Sequence, residues 1–326
     1  MPRQVRIEYP GATYHVVCRG DGQEAIYEDD DDRRMFLATL AECVKRTGWL
    51  VHAYVLMADH YHLVIETPEP NLVRGMAWVQ TAYTARFNAR HQFDRRVFGG
   101  RYKAILVDPE APRYLATLLD YIHLNPVRAG LVRLRKGGRL LAYPWSSLPG
   151  YARLRERPAW LQVERGLGAK EMEDTSYGRR RFVEELETGA AEVKAEKAGL
   201  SMVDEQNLQS TLRRGWYYGR RDFRDWLLDC ADKTLKRRKS ARKNYRGNEV
   251  REHDEVMARR LIEEGLKKER LSRKVLRNLP KGDARKARIA AMVRATTTVP
   301  LRWLAGELHM GTPANMSNAC HRHAKE

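Results

Sequence analysis

Residues 57–66 read MADHYHLVIE: a turn pair, two histidines separated by one tyrosine, and an apolar run. From His60 onward the pattern has a period of two, which is the period of a strand. His60, His62, Val64 and Glu66 then share one face, and Tyr61, Leu63 and Ile65 the other. Two imidazoles on one strand face can bind a single divalent ion; they can equally be two unconnected, hydrogen-bonded histidines, and the H-x-H spacing alone leaves both open.

The neighbouring segments supply the sheet in which such a strand would sit. WLVHAYVLM (49–57) is a second β-rich run, and Ala58-Asp59 joins it to HYHLVIE (60–66) as a tight hairpin. ATYHVVCRG (12–20) and FGGRYKAILVD (98–108) read as further strands. RRMFLATLAECVKRTG (33–48), NLVRGMAWVQTAYTARFNARH (71–91) and PRYLATLLDYIHLN (112–125) have helical periodicity, the last stopping before Pro126. Strands and helices in this order predict an α+β domain with a mainly antiparallel sheet.

The chain has 326 residues and a formal charge of +18, from 60 Lys plus Arg against 42 Asp plus Glu. Such a balance favours a polyanionic partner, nucleic acid first. A membrane surface is the rival, but no run approaches the roughly 18 apolar residues of a spanning helix. MPRQVRIEYPG lacks the apolar core of a signal peptide, so a cytoplasmic location is expected. Cys18, Cys43, Cys230 and Cys320 form no CxxC pair, which predicts reduced thiols rather than a disulfide framework or a cysteine zinc site.

After the turn-rich YPWSSLPGY (143–151) strand signals give way to charged helical stretches, which places a boundary near residue 150. Residues 151–250 read as a helical, basic connecting region; within it LKRRKSARKNYRGN (235–248) suits either a solvated helix face or a phosphate contact. Residues 251–326 read as a helical DNA-binding region with a helix-turn-helix near 299–323. There Trp303, Leu304 and Leu308 make an apolar face, His309 to Thr312 a break, and Pro313 the first turn of a new helix. Asn315, Ser317, Asn318 and Arg322 would be its exposed, base-reading positions.

In DYIHLNP (120–126) Tyr121 and Asn125 are four apart and share a helix face. An amide oxygen is a hard ligand suited to Mg²⁺ or Mn²⁺, and a phenol beside it would reach a phosphate held there; a core tyrosine gives the same spacing. Arg101 and Lys103, beside Gly99 and Gly100, are candidate phosphate contacts or ordinary exposed cations. Glu66 and His123 carry no assigned role.

RIEYPGATYHVVCRG, VLMADHYHLVIE, QTAYTARFNARH, FGGRYKAILVD, DYIHLNPVRAGLV and YPWSS, in this order, resemble the HUH single-tyrosine transposases, and among them the REP-associated tyrosine transposases. The resemblance spans roughly residues 1–150 and implies a ferredoxin-like catalytic domain. It implies that His60, His62 and Asn125 hold Mg²⁺ or Mn²⁺ and that Tyr121 is the nucleophile. The implied substrate is single-stranded or hairpin DNA from a repetitive palindromic element, cut and rejoined through a 5′-phosphotyrosine. Tyr61, between the histidines, is bulkier than the pattern requires, and Tyr83 is a further phenol; the pattern favours Tyr121 over both. A DNA-binding regulator that keeps the fold without cleavage is the alternative, an RNA-binding role a third, and the sequence leaves monomer and dimer both open.

Overall fold

A computed structural model describes residues 6–132, 139–196, 215–237, 248–297 and 299–323. The chain divides into two compact units, Glu8–Arg224 and a second made of Met1–Ile7 with Asp225–Glu326. Among the described residues no helix is long and apolar enough to cross a membrane.

The first unit opens in the order β1 (Ala12–Arg19), α1 (Asp30–Thr47), β2 (Leu50–Leu56), β3 (His60–Thr67), α2 (Leu72–His91), β4 (Lys103–Val107) and α3 (Pro112–Arg128). The first six of these make a βαββαβ unit of the ferredoxin-like kind. Its strands lie in the order β2-β3-β1-β4, all antiparallel, and β5 (Tyr217–Tyr218) adds in parallel beyond β4.

The hairpin closes at Ala58-Asp59, where Met57 donates its N–H to the His60 carbonyl at 2.8 Å. Beyond it the period of two sorts the sheet faces. Tyr61 meets Phe36 of α1 at 4.8 Å between ring centroids, whereas Val64 packs with Leu115, Leu118, Leu119 and Ile122 of α3. The histidine row of β3 therefore lies on the face that α3 covers.

Helix α1 begins three residues before the expected Arg33, because Asp29 caps it by accepting from the Asp32 N–H and three aspartates follow in the first turn. Carboxylates there match the positive end of the helix dipole, and Gly48, at φ 71°, ends the helix in the left-handed conformation. Helix α3 differs more: the expected stop at Asn125 does not occur, and the helix continues through Pro126 to Arg128. Proline withholds a donor from the carbonyl four residues back and crowds it, but its fixed φ remains helical. Burial of Ile122, Leu124 and Val127 holds the last turns, and Ala129 still donates to the Asn125 carbonyl.

The boundary expected near residue 150 falls inside this first unit. Ser146 bridges to Val55 and Leu161 to Val51, which covers the β2 edge of the sheet, and β5 covers the β4 edge. Between them lie α4 (Leu148–Ala152), α5 (Glu164–Gly168) and α6 (Ser176–Glu196), whose Tyr151 and Phe182 stack at 4.7 Å. Asp108 at the end of β4 receives both the backbone N–H and the guanidinium of Arg220, at 3.1 and 2.8 Å. Helix α7 (Arg221–Arg237) passes from the first unit into the second.

In the second unit α8 (Asn248–Lys268), α9 (Arg273–Asn278), α10 (Ala284–Thr296), α11 (Leu301–Glu307) and α12 (Pro313–His323) enclose a separate core. Leu304 and Leu308 enter it, Trp303 packs against it, and Met316, Ala319 and Cys320 of α12 complete it. The turn between α11 and α12 uses positive φ at His309 (52°) and Gly311 (80°). Fully buried Lys286 donates to the Leu279 and His309 carbonyls at 3.0 and 3.1 Å, pinning that turn to the start of α10. Of the basic stretch 235–248, residues 238–247, with Tyr245, lie outside the described residues.

Candidate nucleic-acid cleavage site

Pairing of β1 with β3 sets Val17 opposite His62 and Arg19 opposite His60, and pairing with β4 sets Lys103 opposite Val17. Residues on one cross-strand row share a face, so Lys103, Val17 and His62 form a single line under α3. His15, two residues before Val17, is the diagonal neighbour of His62 on that face.

The rings of His15 and His62 stack at 5.1 Å with 10° between their planes, and Nε2 of His15 lies 2.9 Å from Nδ1 of His62. Burial holds His62 well below the ordinary imidazole range, with His15, His60, Arg19 and Arg128 acting in the same direction. Burial, followed by the Lys103 charge, pushes His15 down to about 3. Both rings are therefore neutral at pH 7, as a metal ligand must be. His60 lies edge-on to His62 at 5.1 Å, and its Nδ1 is 2.6 Å from the Asp59 carboxylate. A carboxylate only accepts, so Nδ1 donates and Nε2 is the ring nitrogen left to face a ligand.

Helix α3 brings Tyr121, Asn125 and Arg128 over these histidines. The Tyr121 ring stands edge-on to His62 at 5.7 Å and to His15 at 6.2 Å. The Arg128 guanidinium lies 4.9 Å from the Tyr121 ring centroid and donates to the Tyr121 carbonyl at 2.8 Å. Asn125 commits its amide nitrogen to the same carbonyl, also at 2.8 Å, which leaves its oxygen as the atom able to serve as a ligand. The amide is thus anchored within the helix rather than lying loose at a frayed end.

A cleft of about 630 Å³ runs along this face. His62, Tyr121 and Asn125 line it together with Arg19, Arg101, Lys103 and Arg128, four cations with no carboxylate among the described lining residues. Arg101 is exposed, while Lys103 is half-buried and its ammonium is pushed down by burial. Gly99 serves the chain's own packing: a Cβ there would lie 2.8 Å from the Gly20 carbonyl oxygen, so the close approach that glycine permits is intramolecular. At Gly100 φ is 128°, a conformation that favours glycine.

The other candidates separate cleanly. Tyr61 is fully buried on the opposite face, and Tyr83 donates to the Ile26 carbonyl at 2.6 Å; burial raises both phenols. Glu66, at the far end of the histidine row, pairs with His52 and Arg165. His123 faces away from the cleft, 2.8 Å from the Ser147 hydroxyl and against Tyr151 and Phe182. In the second unit Asn315, Asn318 and Arg322 are exposed along α12, and Ser317 is half-buried. His15 escaped sequence reasoning because only the β1–β3 register brings it to His62; its placement in the alternating stretch ATYHVVCRG was the available signal.

Among the described residues no group of three or more His, Cys, Asp or Glu side chains could hold a metal. The donor set present is instead two imidazoles and an amide oxygen, with Nδ1 of each imidazole taken by a neighbouring side chain. Ligating histidines commonly have their second ring nitrogen anchored in this way, so these residues fit a divalent ion.

His123 yields a prediction on stability. Burial lowers it to about 3, so below pH 6.5 the unfolded chain takes up a proton that the folded protein refuses. Its contribution is complete above pH 6.5 and is lost as the pH falls toward 3. Between pH 7 and 5 this one group should remove about 2 kcal/mol, so that in urea titrations His123→Gln shows a shallower fall than the parent. Equal slopes for the two proteins would refute the assignment.

Residues 8–125 match the family described as "Transposase IS200 like". Among solved structures, a REP-associated tyrosine transposase bound to a REP hairpin aligns with a TM-score of 0.40 and 14% identity, covering 50% of this chain and 92% of the other. No curated protein matches the chain.

Proposed function

We propose, from the match of residues 8–125 to the IS200-like transposase family, that the protein cleaves and rejoins single-stranded DNA at hairpin-forming repeats, with Tyr121 as nucleophile. The observation that carries this reading is the Tyr121 ring standing edge-on to His62 in a cleft lined by four cations.

A scissile phosphate in the cleft would meet Arg101 and Lys103 from the β4 side, Arg19 from β1 and Arg128 from α3. These charges bind the backbone and offset negative charge as the transition state forms. The Tyr121 oxygen forms a bond to phosphorus while the bond from phosphorus to the 3′ oxygen breaks. The phenol gives up its proton to solvent as it attacks, the 3′ oxygen takes one up and leaves as a hydroxyl, and the 5′ phosphate remains on the tyrosine. One phosphodiester replaces another, so attack by a 3′-hydroxyl can reverse the step and no nucleotide cofactor is consumed. His60, His62 and Asn125 would hold Mg²⁺ or Mn²⁺, which when bound supplies Lewis-acid polarisation of a phosphate oxygen. Arg128 and the Asn125 amide together fix the backbone of Tyr121, so the phenol is presented from a rigid helical turn.

In the same proposal the second unit binds DNA through α11, the turn and α12 as a helix-turn-helix. Asn315, Ser317, Asn318 and Arg322 are its candidate base-reading positions.

The test is incubation with hairpin DNA from repeats flanking the gene, in Mg²⁺ or Mn²⁺. A covalent protein–DNA band on a denaturing gel, with a released 3′-hydroxyl fragment, is expected. Tight binding with no adduct across ions and repeats would favour the non-catalytic regulator. Binding to single-stranded DNA should also weaken with salt. Arg101→Ala and Lys103→Ala should each reduce the steepness of log K against log salt by about 0.7. Fluorescence anisotropy from low to moderate salt would measure this, and unchanged slopes would remove these two residues from the phosphate path.

A further inference from the structure

His15 is buried, belongs to neither the H-x-H pair nor the tyrosine helix, and yet touches His62 directly. At 2.9 Å the two ring nitrogens share one hydrogen, and which ring supplies it decides what His62 can do. If His15 donates from Nε2, a neutral His62 must carry its own hydrogen on Nε2 and has no lone pair there. If His62 donates from Nδ1, its Nε2 is free to ligate, and the hydrogen of His15 must sit on Nδ1.

We infer that His15 is a positioning residue, whose Nε2 accepts the Nδ1 proton of His62 once a divalent ion is bound and so holds His62 in the tautomer and orientation that ligate it. Strand pairing supplies the rigidity this requires: β1 lies between β3 and β4, and the rings are held nearly parallel. Nδ1 of His15 is buried and, among the described residues, has no hydrogen-bond partner. A buried N–H without an acceptor is the more costly of the two unpaired states. The pair therefore rests in the opposite tautomer when no ion is bound, and ion uptake moves both hydrogens. This makes the affinity of the site depend on a residue that never touches the ion. The inference rests on the metal reading given under the proposed function.

The test uses the full chain with ¹⁵N-labelled histidine. In the metal-free protein the nitrogen shifts of His62 should show the hydrogen on Nε2, and on Mg²⁺ addition it should move to Nδ1. Calorimetry should show Mg²⁺ affinity 10- to 100-fold weaker in His15→Leu, which offers no acceptor. In His15→Gln, whose side-chain oxygen can stand in for Nε2, affinity should stay within about threefold of the parent. Circular dichroism checks that both variants fold, and the tautomer measurement on the unaltered protein needs no variant. Parent-like affinity in His15→Leu, or a His62 tautomer unmoved by Mg²⁺, overturns the role of His15 while leaving the metal site intact. If the unaltered protein takes up no Mg²⁺ or Mn²⁺, the metal reading itself fails and this inference goes with it.

Discussion

Tyr121→Phe is expected to abolish the covalent protein–DNA adduct, lowering cleavage by on the order of 10³-fold or more, while hairpin binding changes by less than about twofold. The substitution removes one hydroxyl and nothing else from the cleft. The phenyl ring keeps its edge contacts with His62 and His15, at 5.7 and 6.2 Å, and the Arg128 guanidinium at 4.9 Å. The cations that line the cleft come from β1, β4, the loop before β4 and the end of α3. Denaturing gels would report the adduct and anisotropy the binding. Undiminished adduct formation by Tyr121→Phe would mean that another group attacks, although burial of Tyr61 and Tyr83 leaves neither well placed to do so.

Gly75→Ala should destabilise the first unit by about 3 kcal/mol, against the usual helix-favouring effect of that change. A Cβ at Gly75 would lie 2.1 Å from Cζ2 of Trp49 and 2.6 Å from Cη2. The indole cannot swing aside easily, because it is buried and its Nε1–H donates to Asn71 Oδ1 at 2.6 Å. Asn71 in turn donates to the Thr47 carbonyl at 2.9 Å, so the end of α1, the start of β2 and the start of α2 are tied at one point. Thermal unfolding should show a midpoint about 6–12 °C lower for a unit of this size. Combining Gly75→Ala with Trp49→Phe, which opens space beside the helix, should return part of the loss. A midpoint at or above that of the parent would show that the indole moves freely.

Much of the framework was legible because the signals that set it are local. The helical period of residues 33–47 and the stop at Gly48 define α1 locally, and only its first turn, capped by Asp29, lay outside the expected span. Alternation in HYHLVIET divides the sheet faces, and the Tyr121–Asn125 spacing places phenol and amide on one side of α3. The turn at His309 to Thr312 and the inward Leu304 and Leu308 follow from the pattern in the same way.

Where contacts reached across the chain, sequence patterns were silent or misleading. Pro126 argued for a helix end, but packing of the last turns and side-chain bonds to the Tyr121 carbonyl carried α3 onward. Glu66, on the histidine row of β3, had no role assigned by the pattern, and Arg165, 99 residues away, pairs with it. Residues 151–250 read as connection, yet Leu161 within them, with Ser146 just before, covers one edge of the sheet and Tyr217–Tyr218 the other.

By itself the sequence determined that His60 and His62 share a face, that Tyr121 and Asn125 share another, and that the surface is strongly basic. Each of these follows from the fixed periods of strand and helix or from counting charges. Only the tertiary structure decided that the two faces meet, that Lys103 and Arg19 join them, and that His15 stands behind His62. Strand register and helix docking are set by burial of surfaces far apart in the chain, so no window of sequence contains them.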